Sequence, residues 1–255
     1  MKIEFDLRKT VPENATEHYS RSKKYKRKLP GMEKAIADTK KKLENVVEDA
    51  PEEPRMRRKV ERRWYEKFRW FRSSDGLLVL GGRDATTNDI LVKKHLEAND
   101  LVFHANVQGA PFIVVKNERG GEVPERTITE AATAAASYSK AWSRGMGSCD
   151  VYQVNPDQVS KTPPSGEYLP KGAFMIYGEK TWHKNTPLEV AVGLLDDNVI
   201  GGPAEAVKSR TDNYVTVGVG DVKQGALAKQ VRSRLGGGDL EEIQRHLPGG
   251  SGKIK

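Results

Sequence analysis

The chain has 255 residues, enough for one substantial core or two modest ones, and its 36% hydrophobic and 31% charged content describes a highly charged globular sequence. No apolar run approaches the roughly 18 residues of a spanning helix, and the amino-terminal residues lack the pattern of a secretory leader. One cysteine, Cys149, allows neither an intrachain disulfide nor a zinc site, so a reducing, cytoplasmic setting is expected, with no metal or cofactor. The net charge of +8 favours polyanionic partners, because cations that neutralise phosphates release condensed counterions.

From His18 to Val46, the positions His18, Ser22, Tyr25, Leu29, Met32, Ile36, Thr39, Leu43 and Val46 alternate spacings of four and three, a heptad seam diluted by polar residues. Pro30-Gly31 predicts a break there into two helices. A basic cluster, Arg21 to Lys28, lies on the first and reads as a solvated face. After the Ala50 to Pro54 turn, a helix is predicted from about Arg55 to Phe71, completing a helical hairpin. Its Arg55, Arg57, Arg58, Lys59, Arg62, Arg63, Lys67, Arg69 and Arg72 face only Glu61 and Glu66, a density that points to nucleic acid. Trp64, Phe68 and Phe71 form its apolar stripe, read as core rather than as a base-stacking platform.

Ser73-Ser74-Asp75-Gly76 is turn chemistry, followed by a strand at Leu77 to Leu80 and a helix from Ala85 to Leu96. Leu101 to Val107 and Pro111 to Lys116 read as a strand pair. Thr127 and Glu130 have capping-box spacing, opening an alanine-rich helix that runs to Arg144 and stops at Gly145. Val151 to Val154, Phe174 to Tyr177 and Val190 to Leu195 complete a sheet of mixed order, with a loop at Lys161 to Tyr168. Strand, helix, strand and helix then follow at Asn198 to Ile200, Ala204 to Ser209, Tyr214 to Val219 and Gly225 to Leu235. They compose either a small α/β unit or a continuation of the main sheet. The Gly-rich Pro248 to Lys255 is expected to be mobile. The fold class is therefore α+β: a helical segment (1–54), a sheet domain with flanking helices (55–195) and a small α/β extension (196–255).

WYEKFRWFRSSDG, LVLGGRDATTNDILVKKHL, HANVQGAPFIVVKN, RTITEAATAAASYSKAW and QVSKTPPSGEYLPKGAFMIYGEK, in this order, closely resemble the NFACT-R domain of the NFACT family (RqcH- and NEMF-like proteins). The preceding helices resemble the end of that family's coiled coil, and the tail resembles archaeal members. The resemblance implies an RNA-binding domain of a ribosome quality control factor, acting on large ribosomal subunits obstructed by peptidyl-tRNA and contacting tRNA or ribosomal RNA. It also implies that the chain corresponds to the carboxy-terminal half of a longer protein, without the amino-terminal domain tied to tRNA selection and tailing.

Arg58, Arg62 and Arg69 on the basic helix are candidate phosphate contacts. In Gly81-Gly82-Arg83-Asp84, glycines let backbone approach a phosphate while Arg83 supplies a forked donor set; alternatively Arg83 pairs with Asp84 or a neighbouring acid to fix the turn. Asn88, Lys93 and Lys116 are further candidates for RNA contact, as are Lys161 and Tyr168 on a loop able to hold phosphate and stack a base. His104 invites acid/base chemistry, yet the family commonly reads HADLHGA where this chain reads HANVQGA. Asn106 and Gln108 thus replace an acid and a histidine, and His104 is read as a core or RNA-facing residue. Trp142 is expected in the core. Gly249 to Lys253 fails as a phosphate loop, lacking the first glycine and the final Ser or Thr, and Gly218-Val219-Gly220 fails as a dinucleotide fingerprint. Two other function classes remain open: an RNA- or nucleotide-processing enzyme centred on His104, and a module docking a ribosomal partner protein.

Overall fold

A computed structural model describes residues 5–46, 63–162 and 169–255. The contacts divide the chain into two compact units, Met1–Glu61 and Arg62–Lys255. The first unit is dominated by one helix, α1 (Val11–Val46), opened by Glu13, which accepts from the Thr10 backbone at 2.8 Å. Pro30 lies inside it. The expected break does not occur: the proline forfeits one intrahelical bond, but Lys, Glu, Leu and Ala on both sides are strong helix formers that carry the rod through. Tyr25, Leu29, Met32 and Ile36 of the seam are exposed on it.

The predicted helix from Arg55 to Phe71 lies partly outside the described residues. Where it is described, its second half differs: Trp64–Lys67 is a single 3₁₀ turn and Arg69–Arg72 is strand β1. The aromatic spacing misled because Phe68 and Phe71 are buried on opposite sides of a sheet, while Trp64 stays half exposed and stacks on His95 at 4.5 Å. Tertiary burial on two faces overrode a helical period.

The chain continues through β2 (Leu78–Gly81), α2 (Ala85–His95), β3 (Leu101–Ala105), β4 (Phe112–Val115), α3 (Glu125–Ser137), α4 (Lys140–Ser143) and β5 (Ser148–Val154). A small pair follows, β6 (Val159–Ser160) with β7 (Met175–Ile176), then β8 (Thr181–Pro187). These build a six-stranded sheet in the order β1-β2-β4-β3-β5-β8. A second sheet, β10-β9-β11-β12, is made by β9 (Glu189–Leu195), β10 (Asn198–Gly202), β11 (Tyr214–Val222) and β12 (Gly252–Ile254). Helices α5 (Ala204–Lys208), α6 (Gln224–Leu235) and α7 (Leu240–His246) accompany it. The expected α+β class holds, but every described pairing is antiparallel rather than mixed.

The period of two sorts side chains between two cores. On one face Phe103, Ile113 and Val151 join α3 and the second sheet. On the other, Val102, Phe112, Val114 and Tyr152 pack with Leu91 of α2 and Phe68. Because one core contains Val115, Ala135 and Trp142 together with Val217, Val231 and Ile243, residues beyond 196 continue the packing of the main sheet.

Three local expectations changed. Thr127 and Glu130 do not cap α3, whose first residue is Glu125. They tie the Ser73 to Gly76 turn instead: Thr127 Oγ1 donates to Asp75 at 2.8 Å, and Glu130 accepts from the backbone and hydroxyl of Ser74. Burial pushes the Glu130 carboxyl up from its ordinary value. The alanine-rich helix also stops early, at Ser137, because Ser139 caps a new helix by accepting from Ala141 N at 3.0 Å. Finally, residues 248–255, expected to be mobile, hold β12 against β11, and the Trp142 indole donates to Ser251 O at 2.9 Å.

Candidate nucleic-acid interface

Asp84 caps α2, accepting from Thr87 N at 2.8 Å, while Thr87 Oγ1 accepts from the Asp84 and Arg83 amides. The capping bonds hold the Asp84 carboxyl below its ordinary value. Asp84 is therefore not free to fix the turn through Arg83. Its acidic neighbour is committed to the helix N-terminus, and among the described residues no carboxylate pairs with Arg83. Just before it, Gly82 permits close packing of Asn88, since a Cβ there would lie 1.8 Å from Asn88 Oδ1. Asn88 accepts from Phe112 N at 3.2 Å, pinning α2 to β4.

Arg69 and Arg245 stand beside Arg83. Arg69 lies over the Tyr138 ring at 4.5 Å and donates to Arg245 O at 3.0 Å. Burial lowers the affinity of both Arg69 and Arg83 for their protons, and at Arg83 the neighbouring Arg69 and Arg245 add to the effect. All three remain charged, as guanidinium groups do in proteins. His246, behind them, is pushed down to about 4 by burial and then by these arginines.

Strand register builds the facing wall. Phe112 pairs with His104, His104 with Tyr152 and Tyr152 with Trp182, so four aromatic rings stand in one row across β4, β3, β5 and β8. Successive centroids are 4.8, 5.5 and 5.6 Å apart. Burial pushes His104 down to about 4, against opposing hydrogen bonds to the Ala110 and Ala105 backbone. Its Nδ1 lies 3.3 Å from the Tyr152 hydroxyl, whose own pKa burial pushes up to about 12.

Residues 169–174 close the third side. Lys161 binds Asp89 at 2.9 Å and Ala173 O at 2.9 Å, and lies over the Phe174 ring at 4.6 Å. Lys93 reaches the same Asp89 at 2.7 Å, and these two lysines hold that carboxyl down to about 2. Gly172 sits at φ +78°, where a Cβ would come within 2.6 Å of Ala85 backbone, so this wall approaches α2 as only glycine allows.

The result is an open cleft of about 530 Å³. Arg69, Arg83, Lys140 and Lys171 supply its cations; His104, Phe112, Tyr152 and Phe174 supply its rings. Of the sequence candidates, Arg69, Arg83, Asn88 and His104 come together here. Lys93 and Lys161 serve the wall through Asp89. Lys116 is placed elsewhere: it is buried, bound to Asp100 at 2.6 Å, Glu97 at 3.2 Å and His95 O at 2.8 Å, so its ammonium is committed to structure. Arg58, Arg62 and Tyr168 lie outside the described residues. Sequence reasoning missed Tyr138, Lys140, Lys171, Phe174 and Tyr152 as a group. The one local signal was Ser139-Lys140, a cap followed by a cation that breaks the alanine run. Among the described residues, no group of three His, Cys, Asp or Glu could hold a metal ion. No described helix is long and apolar enough to cross a membrane.

The family model for the NFACT protein RNA binding domain matches residues 67–178, which include β3, β4, β5 and the Arg83 turn. The archaeal Rqc2 homolog aRqcH of Methanocaldococcus jannaschii is 42% identical over 207 residues, covering 78% of this chain and 31% of that protein. The ribosome quality control complex subunit NEMF of Mus musculus is 32% identical over 249 residues, covering 95% of this chain and 23% of that protein. A solved structure, the C-terminal of the fibronectin/fibrinogen-binding protein from Streptococcus suis, aligns with a TM-score of 0.41 at 22% identity, over 70% of this chain and 77% of that one. The chain spans less than a third of the length of these two curated relatives. It belongs to the NFACT family and carries that family's RNA-binding domain.

Proposed function

We propose that this chain is the RNA-gripping part of a cytoplasmic ribosome quality control factor, holding tRNA or ribosomal RNA on obstructed large subunits through the cleft rimmed by Arg69, Arg83, Lys140 and Lys171. The observation that carries this reading is the charge balance of the cleft: among the described residues four cations converge there, and the one lining acid, Asp84, is consumed by the α2 cap. Phosphate contacts of this kind position RNA without reading its sequence. We read the role as binding rather than catalysis: among the described residues His104 faces a tyrosine and two backbone groups, with no carboxylate beside it to orient it as a base. The relatives' names, which place them in ribosome quality control, support the setting.

The test is anisotropy of a labelled tRNA against salt. Four phosphate contacts give a slope of log K against log salt of roughly −3. Arg83→Gln and Lys171→Gln each flatten it by about 1. A salt-independent affinity, or slopes unmoved in both variants, would refute the assignment. Incubation with tRNA and magnesium checks the enzymatic alternative, which requires defined cleavage products abolished by His104→Ala.

A further inference from the structure

The cleft has more structure than a phosphate rest requires. Its volume of about 530 Å³ falls within the roughly 300–1,000 Å³ of sites that enclose a small ligand. Its chemistry combines cations and rings: Arg69, which begins β1, lies over the Tyr138 ring, and further rings stand along β4, β3 and β5. A duplex offers a concave site of this size only its backbone, because its bases are stacked inside. An unpaired nucleotide offers an anion and a flat π face together.

Arg69 sharpens the argument. It lies half-buried over the Tyr138 ring, and among the described residues only Arg245 of the arginine trio forms an ion pair, with Glu242 at 2.8 Å. Three adjacent guanidinium groups repel one another, and a bound phosphate relieves that repulsion. Among the rings, His104 is neutral near pH 7, so it presents an uncharged ring face rather than a charge. Phe174 stands at right angles to Phe112 with centroids 5.4 Å apart, giving the pocket a corner rather than a flat floor.

We infer that the cleft encloses a single unpaired nucleotide, its phosphate on Arg69 and Arg83 and its base among His104, Tyr152 and Phe174, so that the preferred RNA carries a looped-out or single-stranded residue. This rests on the RNA-binding reading above and narrows it. The ligand chemistry is shared by a free mononucleotide and a nucleotide within RNA.

The experiment uses the full chain with two labelled hairpins, one fully paired and one identical except for a single bulged 2-aminopurine. Stacking of one base predicts about tenfold tighter binding of the bulged hairpin and a marked quench of its 2-aminopurine. His104→Gln should reduce the preference to below about threefold. The quench is read on the unmodified protein, so the test does not depend on that variant folding. Equal affinity for the two hairpins, without quenching, overturns the inference while leaving RNA binding in place; failure to bind either at low salt overturns the underlying reading instead. Competition by adenosine monophosphate would identify the free nucleotide as a sufficient ligand, and bulge preference without competition would assign the site to RNA; each outcome supports the nucleotide pocket.

Discussion

Lys116→Met should destabilise the protein strongly without involving RNA. The Lys116 side chain is 4% exposed and its partner Asp100 is fully buried, so methionine removes the cation and strands a carboxylate away from water. Removing one member of a buried pair costs about 3–5 kcal/mol. Asp100 keeps two backbone bonds, from Glu97 N at 2.9 Å and Asn117 N at 3.0 Å, which places its share near the lower end. The orphaned His95 carbonyl adds about 1 kcal/mol. A loss of about 4 kcal/mol corresponds to roughly 8–16 °C in a domain of this size. Urea unfolding followed by tryptophan fluorescence measures it directly. Lys116→Met combined with Asp100→Leu should recover most of the loss, since an apolar pair of similar volume restores balance. A single variant within about 1 kcal/mol of the parent would refute the buried-pair argument. So would a folded variant whose loss appears in the salt slope of RNA binding, because Lys116 would then be a phosphate contact.

Other consequences are as direct. Gly172→Ala forces a left-handed φ and a 2.6 Å approach to Ala85, so it should cost at least about 2 kcal/mol and weaken RNA binding by displacing Lys171; a neutral substitution would mean the wall is free to move. Asp84→Ala removes the α2 cap and should cost about 1 kcal/mol, read from the same urea curves. His104 and His246 both have folded pKa values near 4, below the ordinary 6.5 of the unfolded chain. The unfolded state therefore binds more protons between pH 6.5 and 4. Stability is full above that window and is lost as pH falls through it, by an amount on the order of 3 kcal/mol per histidine. Unfolding midpoints that stay level from pH 7 to pH 4.5 would contradict the burial of these rings.

The family motifs and most strands were legible in the sequence because they are local: Ser73 to Gly76 must turn, and alternating Val, Ile and Phe in β3 and β4 must face two cores. What could not be read was set by distance along the chain. Phe68 and Phe71 look helical until the sheet separates them onto opposite faces. Thr127 and Glu130 look like a cap until Ser74 and Asp75, more than fifty residues earlier, arrive as partners. Within the cleft, Arg83 and His104 were conspicuous by composition, whereas Lys140 and Lys171 entered from segments with no sequence link to them. Strand β8 was missed because its exposed Thr181 to Asn185 carries no apolar alternation, being an edge strand with one side to solvent.

Leu188 alone connects β8 to β9, and it is buried in the core that both sheets share. A one-residue crossing gives the two sheets no slack to part, so neither can open while the other stays closed. Amides in β3 and β11 should then exchange with solvent through the same global event, with matching protection. A chain cut after Leu195 would lose the partners of Val190 and Val192 and leave an apolar face uncovered, so the two sheets should unfold as a single cooperative unit.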